Sequence, residues 1–150
     1  MKTVQVFLRD ENATPPTRNK HTDAGLDLYA AEDRFIELGS TAVIKTSISI
    51  NVPEGYVGKI EDRSGLASKG LRTGAGVVDC GYTGEVGVVL HNLTSQLAAD
   101  PILFRKGYQV RRGDKIAQLL LYRVDTPTVE VVGNLWESER GAAGFGSSGR

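Results

Sequence analysis

The chain of 150 residues has one cysteine, Cys80, and two histidines, His21 and His91. A single cysteine excludes an intrachain disulfide. With only two distant histidines beside it, the chain also lacks the Cys/His set of a zinc site. Long hydrophobic runs are missing. Nothing approaches the ~20 apolar residues that span a bilayer, and the opening stretch MKTVQVFLRD reaches charge before an apolar leader develops. Nor is there an excess of either charge, since Lys plus Arg equals Asp plus Glu at 18 each. That balance argues against broad binding to duplex nucleic acid, which needs a basic face. A small local basic site remains open. The expectation is a soluble, cytoplasmic protein (in a host's cytoplasm if viral) with no membrane or direct nucleic-acid partner.

What is present fits one globular domain. Apolar residues make up 40% and charged residues 24%, an ordinary soluble balance. The apolar period is two, not 3.6. Ile48, Ile50 and Val52 alternate with Ser49 and Asn51, and Val4 and Val6 flank Gln5. Residues 86–90, 115–122 and 128–132 are further Val/Ile/Leu-rich runs bounded by Gly, Pro or Asp. Eighteen glycines punctuate these runs, the pattern of an all-β sandwich or barrel with many turns. One short helix of about two turns is expected near Ser64–Lys69, ended by Gly70. Residues 93–106 break the strand rhythm and read as an excursion between strands. The tail ERGAAGFGSSGR, residues 139–150, cannot build a core. Phe145 is its one aromatic and has nothing local to pack against, so it is useful only if it docks elsewhere.

Four segments combine glycine with polar residues at strand ends. In Asp23–Tyr29, alternation puts Leu26 and Leu28 on one face and Asp27 on the other, either as a solvated strand aspartate or as a ligand group. In RSGLA, Ser64 is either a plain N-cap or, with Arg63 and the free N–H groups of the helix start, part of a phosphate grip. Residues 74–87 look like a hairpin whose glycines let backbone groups approach a planar ligand, with Asp79 near the turn beside Tyr82. The alternative there is a tight turn with an ordinary turn aspartate. In RRGDKIAQL, Gln118 lies within an apolar run and must find partners, structural or otherwise.

Taken in order with the tail, AGLDL, RSGLA, GVVDCGYTG, RRGDKIAQL and RGAAGFGSSG resemble the five motifs of the trimeric dUTPase family. They run from residue 24 to residue 149, and the third and fifth strings are highly specific. The resemblance implies a distorted, β-clip-like jelly roll over residues 1–138 and a glycine-rich arm over 139–150. It implies a homotrimer with three shared sites. Each site takes motifs one, two and four from one chain, the third from another and the tail from the last. The implied reaction turns dUTP into dUMP and pyrophosphate with Mg²⁺, keeping uracil out of DNA and supplying dUMP for dTMP synthesis.

Carried over where residues match, Asp27 helps hold the magnesium–triphosphate through water. Arg63, Ser64, Gly65 and Gln118 contact phosphates. Gly76, Val77, Val78 and Asp79 belong to the segment that reads uracil, with Gly87 on its far arm, and Tyr82 packs under the deoxyribose. Arg140 binds phosphate, Phe145 stacks over uracil, and Gly146, Ser147 and Ser148 close on the γ-phosphate. Asp79 is the expected general base for a water aimed at the α-phosphorus.

Some positions depart from the common family pattern. Asp62 stands where a proline often precedes Arg63, Lys115 replaces a frequent arginine, and Thr73 lies where some members place a base-facing asparagine. The fold-related dCTP deaminases would need a glutamate where this chain has Val89, and they lack the glycine-rich tail. The 93–106 excursion is longer than in many members and is either a species-specific decoration or a surface for a protein partner.

Overall fold

The structure is a computed structural model that describes residues 3–93, 98–99 and 106–136. Its strands are β1 (Gln5–Leu8), β2 (Leu26–Tyr29), β3 (Arg34–Glu37), β4 (Thr41–Lys45), β5 (Ile48–Asn51) and β6 (Tyr56–Glu61). After the helix α1 (Ser64–Ala67) come β7 (Leu71–Gly74), β8 (Val77–Val78), β9 (Gly87–Asn92), β10 (Ala98–Ala99), β11 (Lys106–Val110) and β12 (Lys115–Arg123). All pairings between these strands are antiparallel, in the orders β1-β5, β10-β11-β3, β2-β12-β6-β8 and β4-β9-β7. The all-β, distorted jelly-roll expectation is met. Among the described residues no helix is long and apolar enough to cross a membrane.

The alternation in the sequence is what closes the sheets over one core. Ala42 and Ile44 of β4 and Val88, Leu90 and Asn92 of β9 point inward, while their neighbours in each strand face outward or lie part-buried. Leu28, Ile44, Val88, Leu90, Ala117 and Leu119 are sealed from solvent. Fully burying a Val or Leu side chain of this kind is worth roughly 1.5–3 kcal/mol. Strand β5 is buried on both faces. Ser49 lies inside because its hydroxyl donates to the Thr83 carbonyl at 2.9 Å and accepts from Arg9 Nη1 at 2.9 Å.

Three expectations are corrected. The helix is one turn, not two, since the chain passes into a turn after Ala67 and ends at Gly70 with φ of 91°. A lone helical turn containing glycine gains too few hydrogen bonds to offset its nucleation, and only its neighbours hold it. Residues 74–87 are a wide hairpin, not a tight one. Strands β7 and β9 pair with each other up to Gly74 opposite Val89, while β8 between them bonds to β6, so the segment arches out of the β4-β9-β7 sheet to the edge of another and returns. Residues 128–132, patterned like a strand, pair with nothing among the described residues. Val129 is 92% exposed and Val131 94%, because the single chain offers that run no neighbouring edge. The tail 139–150 and most of the 93–106 excursion lie outside the described residues.

Candidate active site

The chemistry gathers where β2, the β6–α1 junction and β12 meet. A β-bulge makes this convergence possible. Against β2, Lys115 stands opposite Tyr29, but the register then shifts, so that Ala117 faces Leu28 and Gln118 faces Asp27. Ile116 and Ala117 are consecutive and both buried, the mark of the extra residue. Without it, side chains at 115 and 118 would leave opposite faces of the strand; with it, both reach the same carboxylate neighbourhood.

Asp27 is the hub. Its Oδ1 accepts from Arg63 Nε at 3.1 Å and its Oδ2 from Lys115 Nζ at 2.7 Å, with the Asp27 side chain only 17% exposed. It is therefore no solvated strand aspartate. Arg63 also donates through Nη1 to the Lys115 carbonyl at 3.1 Å. Two cations against one carboxylate give the trio one positive charge in excess, which the Asp23 carboxylate on the cavity wall balances. The hydrogen bond to Asp27 is the largest influence on the Lys115 ammonium and holds its pKa above the usual lysine value. Lys115 also sits 5.7 Å from the Tyr29 ring centroid, and the Tyr29 hydroxyl shares a 2.6 Å hydrogen bond with Thr17 Oγ1.

Gln118 finds its partner in the Asp62 carbonyl, to which Nε2 donates at 2.8 Å. Gly25 makes the room, since a Cβ there would collide with Gln118 Oε1. Glycine in AGLDL thus lets Gln118 keep this conformation. Ser64 and Gly65 begin α1. Arg63 stands at the cap in extended conformation and no side chain caps the helix start, so Ser64 is not the plain N-cap.

These residues line one open cavity of about 570 Å³, walled by Asp27, Arg63, Ser64, Gly65 and Gln118 together with Asn19, Asp23 and Leu120. Five of the site residues named from sequence thus come together. Lys115, which pairs with Asp27, was not among them. Its signal was the charge ending a turn directly before the apolar run of β12.

The arch residues are not in that cavity. Val77 is exposed and Val78 buried on β8, while Asp79, Cys80 and Tyr82 are exposed beyond it. Gly76 is buried with φ of 100°, and a Cβ there would lie 2.7 Å from the Ile60 carbonyl oxygen, whereas the Gly76 carbonyl accepts from the Ile60 N–H at 2.7 Å. Gly87 likewise lets Val43 approach within 2.8 Å of where its Cβ would be. The Tyr82 hydroxyl donates to the Glu85 carbonyl at 2.9 Å, and its ring helps line a second cavity with Phe7, Arg9 and Ser49. Arg140, Phe145, Gly146, Ser147 and Ser148 lie outside the described residues.

Comparison with known proteins gives this geometry its context. A dUTPase family model matches residues 11–149. The chain is 47% identical over 149 residues to a deoxyuridine 5'-triphosphate nucleotidohydrolase of Eremothecium gossypii, covering 98% of this chain and 91% of that one. Among solved structures, the dUTPase of Staphylococcus bacteriophage 80α with dUPNHPP superposes with a TM-score of 0.86 at 37% identity, covering both chains completely; it is one of the phage dUTPases described as controlling transfer of virulence genes. A mutant dUTPase from phage φ11 of S. aureus, described with a structural Mg(II) ion, matches with a TM-score of 0.78 at 35% identity over 91% of this chain and 100% of that one. A family match over nearly the whole length, joined to a shared fold, shows that this chain belongs to the dUTPase family.

Proposed function

We propose that the protein hydrolyses dUTP to dUMP and pyrophosphate, with water attacking the α-phosphorus. The observation that carries the reading is the cavity in which Arg63, Ser64 and Gln118 converge beside the Asp27–Lys115 pair. Arg63 has five N–H donors, of which the described residues take two, so the rest are available to phosphate oxygens. The backbone N–H groups of Ser64 and Gly65 add to the same grip.

Water is a poor nucleophile, so a carboxylate must orient it and take its proton, and Asp79 is that base. Because the arch stands apart from the cavity of its own chain, Asp79 would serve the cavity of a neighbouring subunit. The active species is then a closed homotrimer. In it, backbone groups of Gly76, Val77 and Val78 read uracil, Gly87 keeps the far arm clear, and Tyr82 packs under the deoxyribose. Residues 1–138 are the catalytic body and 139–150 the closing arm. Arg140 meets phosphate, Phe145 stacks on the base, and Gly146, Ser147 and Ser148 cover the γ-phosphate, excluding bulk water.

Mg²⁺ fits this donor set as an ion carried by the substrate. Among the described residues no group of three or more His, Cys, Asp or Glu stands ready to cage a metal. Mg²⁺ commonly uses one or two carboxylates, retained waters and substrate phosphates instead. Each Asp27 oxygen is engaged by one cationic donor and keeps a lone pair for a metal-bound water. When bound, the ion supplies charge neutralisation on the phosphates. The test is a nucleotide panel: dUMP and pyrophosphate from dUTP alone support the reading, and turnover of UTP, dCTP or dTTP at similar rates overturns it.

A protein-binding role for residues 93–106 belongs to the same proposal. The excursion leaves β9 and returns through β10 and β11, whose sheet contributes no residue to the cavity, so a partner there need not block the site. The virulence-gene role described for the 80α relative supports looking for one. A pull-down with and without the segment tests it, and equal recovery of partners removes the role.

A further inference from the structure

We infer that Asp62 is a positioning residue, clamping the phosphate-gripping turn to the strand that feeds the arch carrying Asp79. The inference rests on the dUTP reading above and adds a residue to it.

Asp62 joins three parts of the molecule. Its backbone carbonyl accepts from Gln118 Nε2 at 2.8 Å, and Arg63 of the cavity follows it directly in the chain. Its Oδ1 accepts from both the Thr73 N–H at 2.6 Å and the Thr73 hydroxyl at 2.8 Å, and its Oδ2 pairs with Arg72 Nε at 2.5 Å. Strand β7 lies at the edge of the β4-β9-β7 sheet, so the outward N–H of Thr73 has no strand to meet. The carboxylate does the work of that missing strand. Two residues beyond Thr73 the chain turns sharply, with Ala75 at φ of 55° and Gly76 at φ of 100°. A left-handed alanine is held only by its surroundings. Here the holds are Asp62, the residue just past β6, on Thr73 and Ile60 of β6 on Gly76.

The arch therefore takes its orientation from the same few residues that set Arg63 and Gln118. A proline at position 62 would stiffen the turn but offer Thr73 nothing. In this chain the carboxylate makes the link, and the Thr73 hydroxyl, committed to Asp62, is not a donor to a base.

The test uses the full chain with Mg²⁺ and dUTP, measuring kcat and KM separately together with the melting temperature, for Asp62→Ala, Asp62→Asn and Thr73→Val. Asp62→Ala is expected to lower kcat by about 10–100-fold, the scale of an ångström-sized misplacement of reacting groups, with KM changed far less. Asp62→Asn keeps an oxygen for both Thr73 donors and is expected to restore most of the turnover. Thr73→Val loses the hydroxyl but keeps the N–H, and is expected to fall between them. It also carries the test if Asp62→Ala does not fold. Parent-like kcat in Asp62→Ala, or in Thr73→Val where Asp62→Ala does not fold, overturns the inference. So does equal damage from Asn and Ala, or a loss that merely follows the melting temperature. A parent enzyme inactive on dUTP would instead overturn the underlying reading.

Discussion

The cavity and the arch differ in how much of their partnership one chain contains. At the cavity, Asp27, Arg63, Lys115 and Gln118 all find partners within the chain, and the bulge in β12 aims two of them from one strand. At the arch, Val77, Asp79 and Tyr82 are exposed, and the apolar arm that follows β12 leaves Val129 and Val131 open to water. A polar cluster can be finished locally because each hydrogen bond needs only a near neighbour. An exposed apolar face cannot, and patches of that kind mark surfaces that associate. On the proposed reading the phosphate end of the site is preassembled, and the end that holds the base and the nucleophile is completed by a neighbouring subunit.

The largest expected effect breaks the arch alone. Asp79→Asn keeps the shape and removes the base, and kcat should fall by about 10²–10⁴-fold while dUTP binding persists. If subunits share sites, an Asp79→Asn chain co-assembled with a chain truncated after Glu139 should regain some turnover, since one intact site can draw its arch and tail from different subunits. No recovery in the mixed assembly would mean that one site takes its arch and tail from the same chain.

Next is the exposed arm. Val129→Asp with Val131→Asp should leave the monomer fold intact, because neither side chain touches the core. Burying two carboxylates in an apolar contact costs several kcal/mol, of order ~2–7 even for a single neutral polar group left unpaired. Light scattering should therefore report monomers, with turnover lost alongside. A variant that stays trimeric and active would mean that the arm is open in the assembly as well.

The same contrast explains what was legible in the sequence. Period-two alternation identified β5, and Val/Ile/Leu-rich runs bounded by turn residues identified β9 and β12, because the apolar content of a strand is a local property. Asp27, Arg63, Ser64, Gly65 and Gln118 were named from motif strings and do line one cavity. In residues 74–87 the hairpin base was legible but the detour of β8 to β6 was not, since glycine spacing looks the same whether or not the middle of the segment pairs with a distant strand. Residues 128–132 carried a strand pattern without a strand, because pairing is a property of two segments and sequence displays only one. The role of Asp62 was equally hidden, as its partners Arg72 and Thr73 come from a strand of another sheet.

A smaller effect concerns sugar choice. Tyr82→Ala should raise activity on UTP relative to dUTP while lowering turnover of dUTP. Tyr82→Phe should keep the preference, because the hydroxyl is spent on the Glu85 carbonyl and only the ring faces outward. Gly84→Ala should behave like a weakened Tyr82→Ala, since an added Cβ would strike the Tyr82 hydroxyl and push the ring from its seat. An unchanged dUTP/UTP ratio in Tyr82→Ala would leave the 2′ position to another group.

The smallest expected effect is on acid stability, and it separates the clamp from the cavity once more. Burial alone would raise the Asp62 carboxyl, but the hydrogen bonds from Thr73 and the Arg72 guanidinium outweigh it and hold its pKa below the ordinary value. A carboxyl depressed on folding stabilises the native state above its unfolded pKa of about 3.9, and that stabilisation fades as pH falls towards the folded value. The melting-temperature gap between parent and Asp62→Asn should accordingly be constant from neutral pH down to about 5 and shrink below about 4. Lys115→Met should leave this acid limb in place, because Lys115 is bonded to Asp27 and not to Asp62. Its own contribution is of opposite sign: an ammonium raised by Asp27 stabilises below its unfolded pKa of about 10.4 and is lost as pH climbs through the folded value. Two variants with opposite pH limbs, one acid and one alkaline, would mean that clamp and cavity are electrostatically separate despite the Gln118 hydrogen bond between them. Loss of the Asp62 acid limb in the Lys115→Met background would instead make clamp and cavity one coupled unit, and the preassembled half of the site would then reach as far as β7.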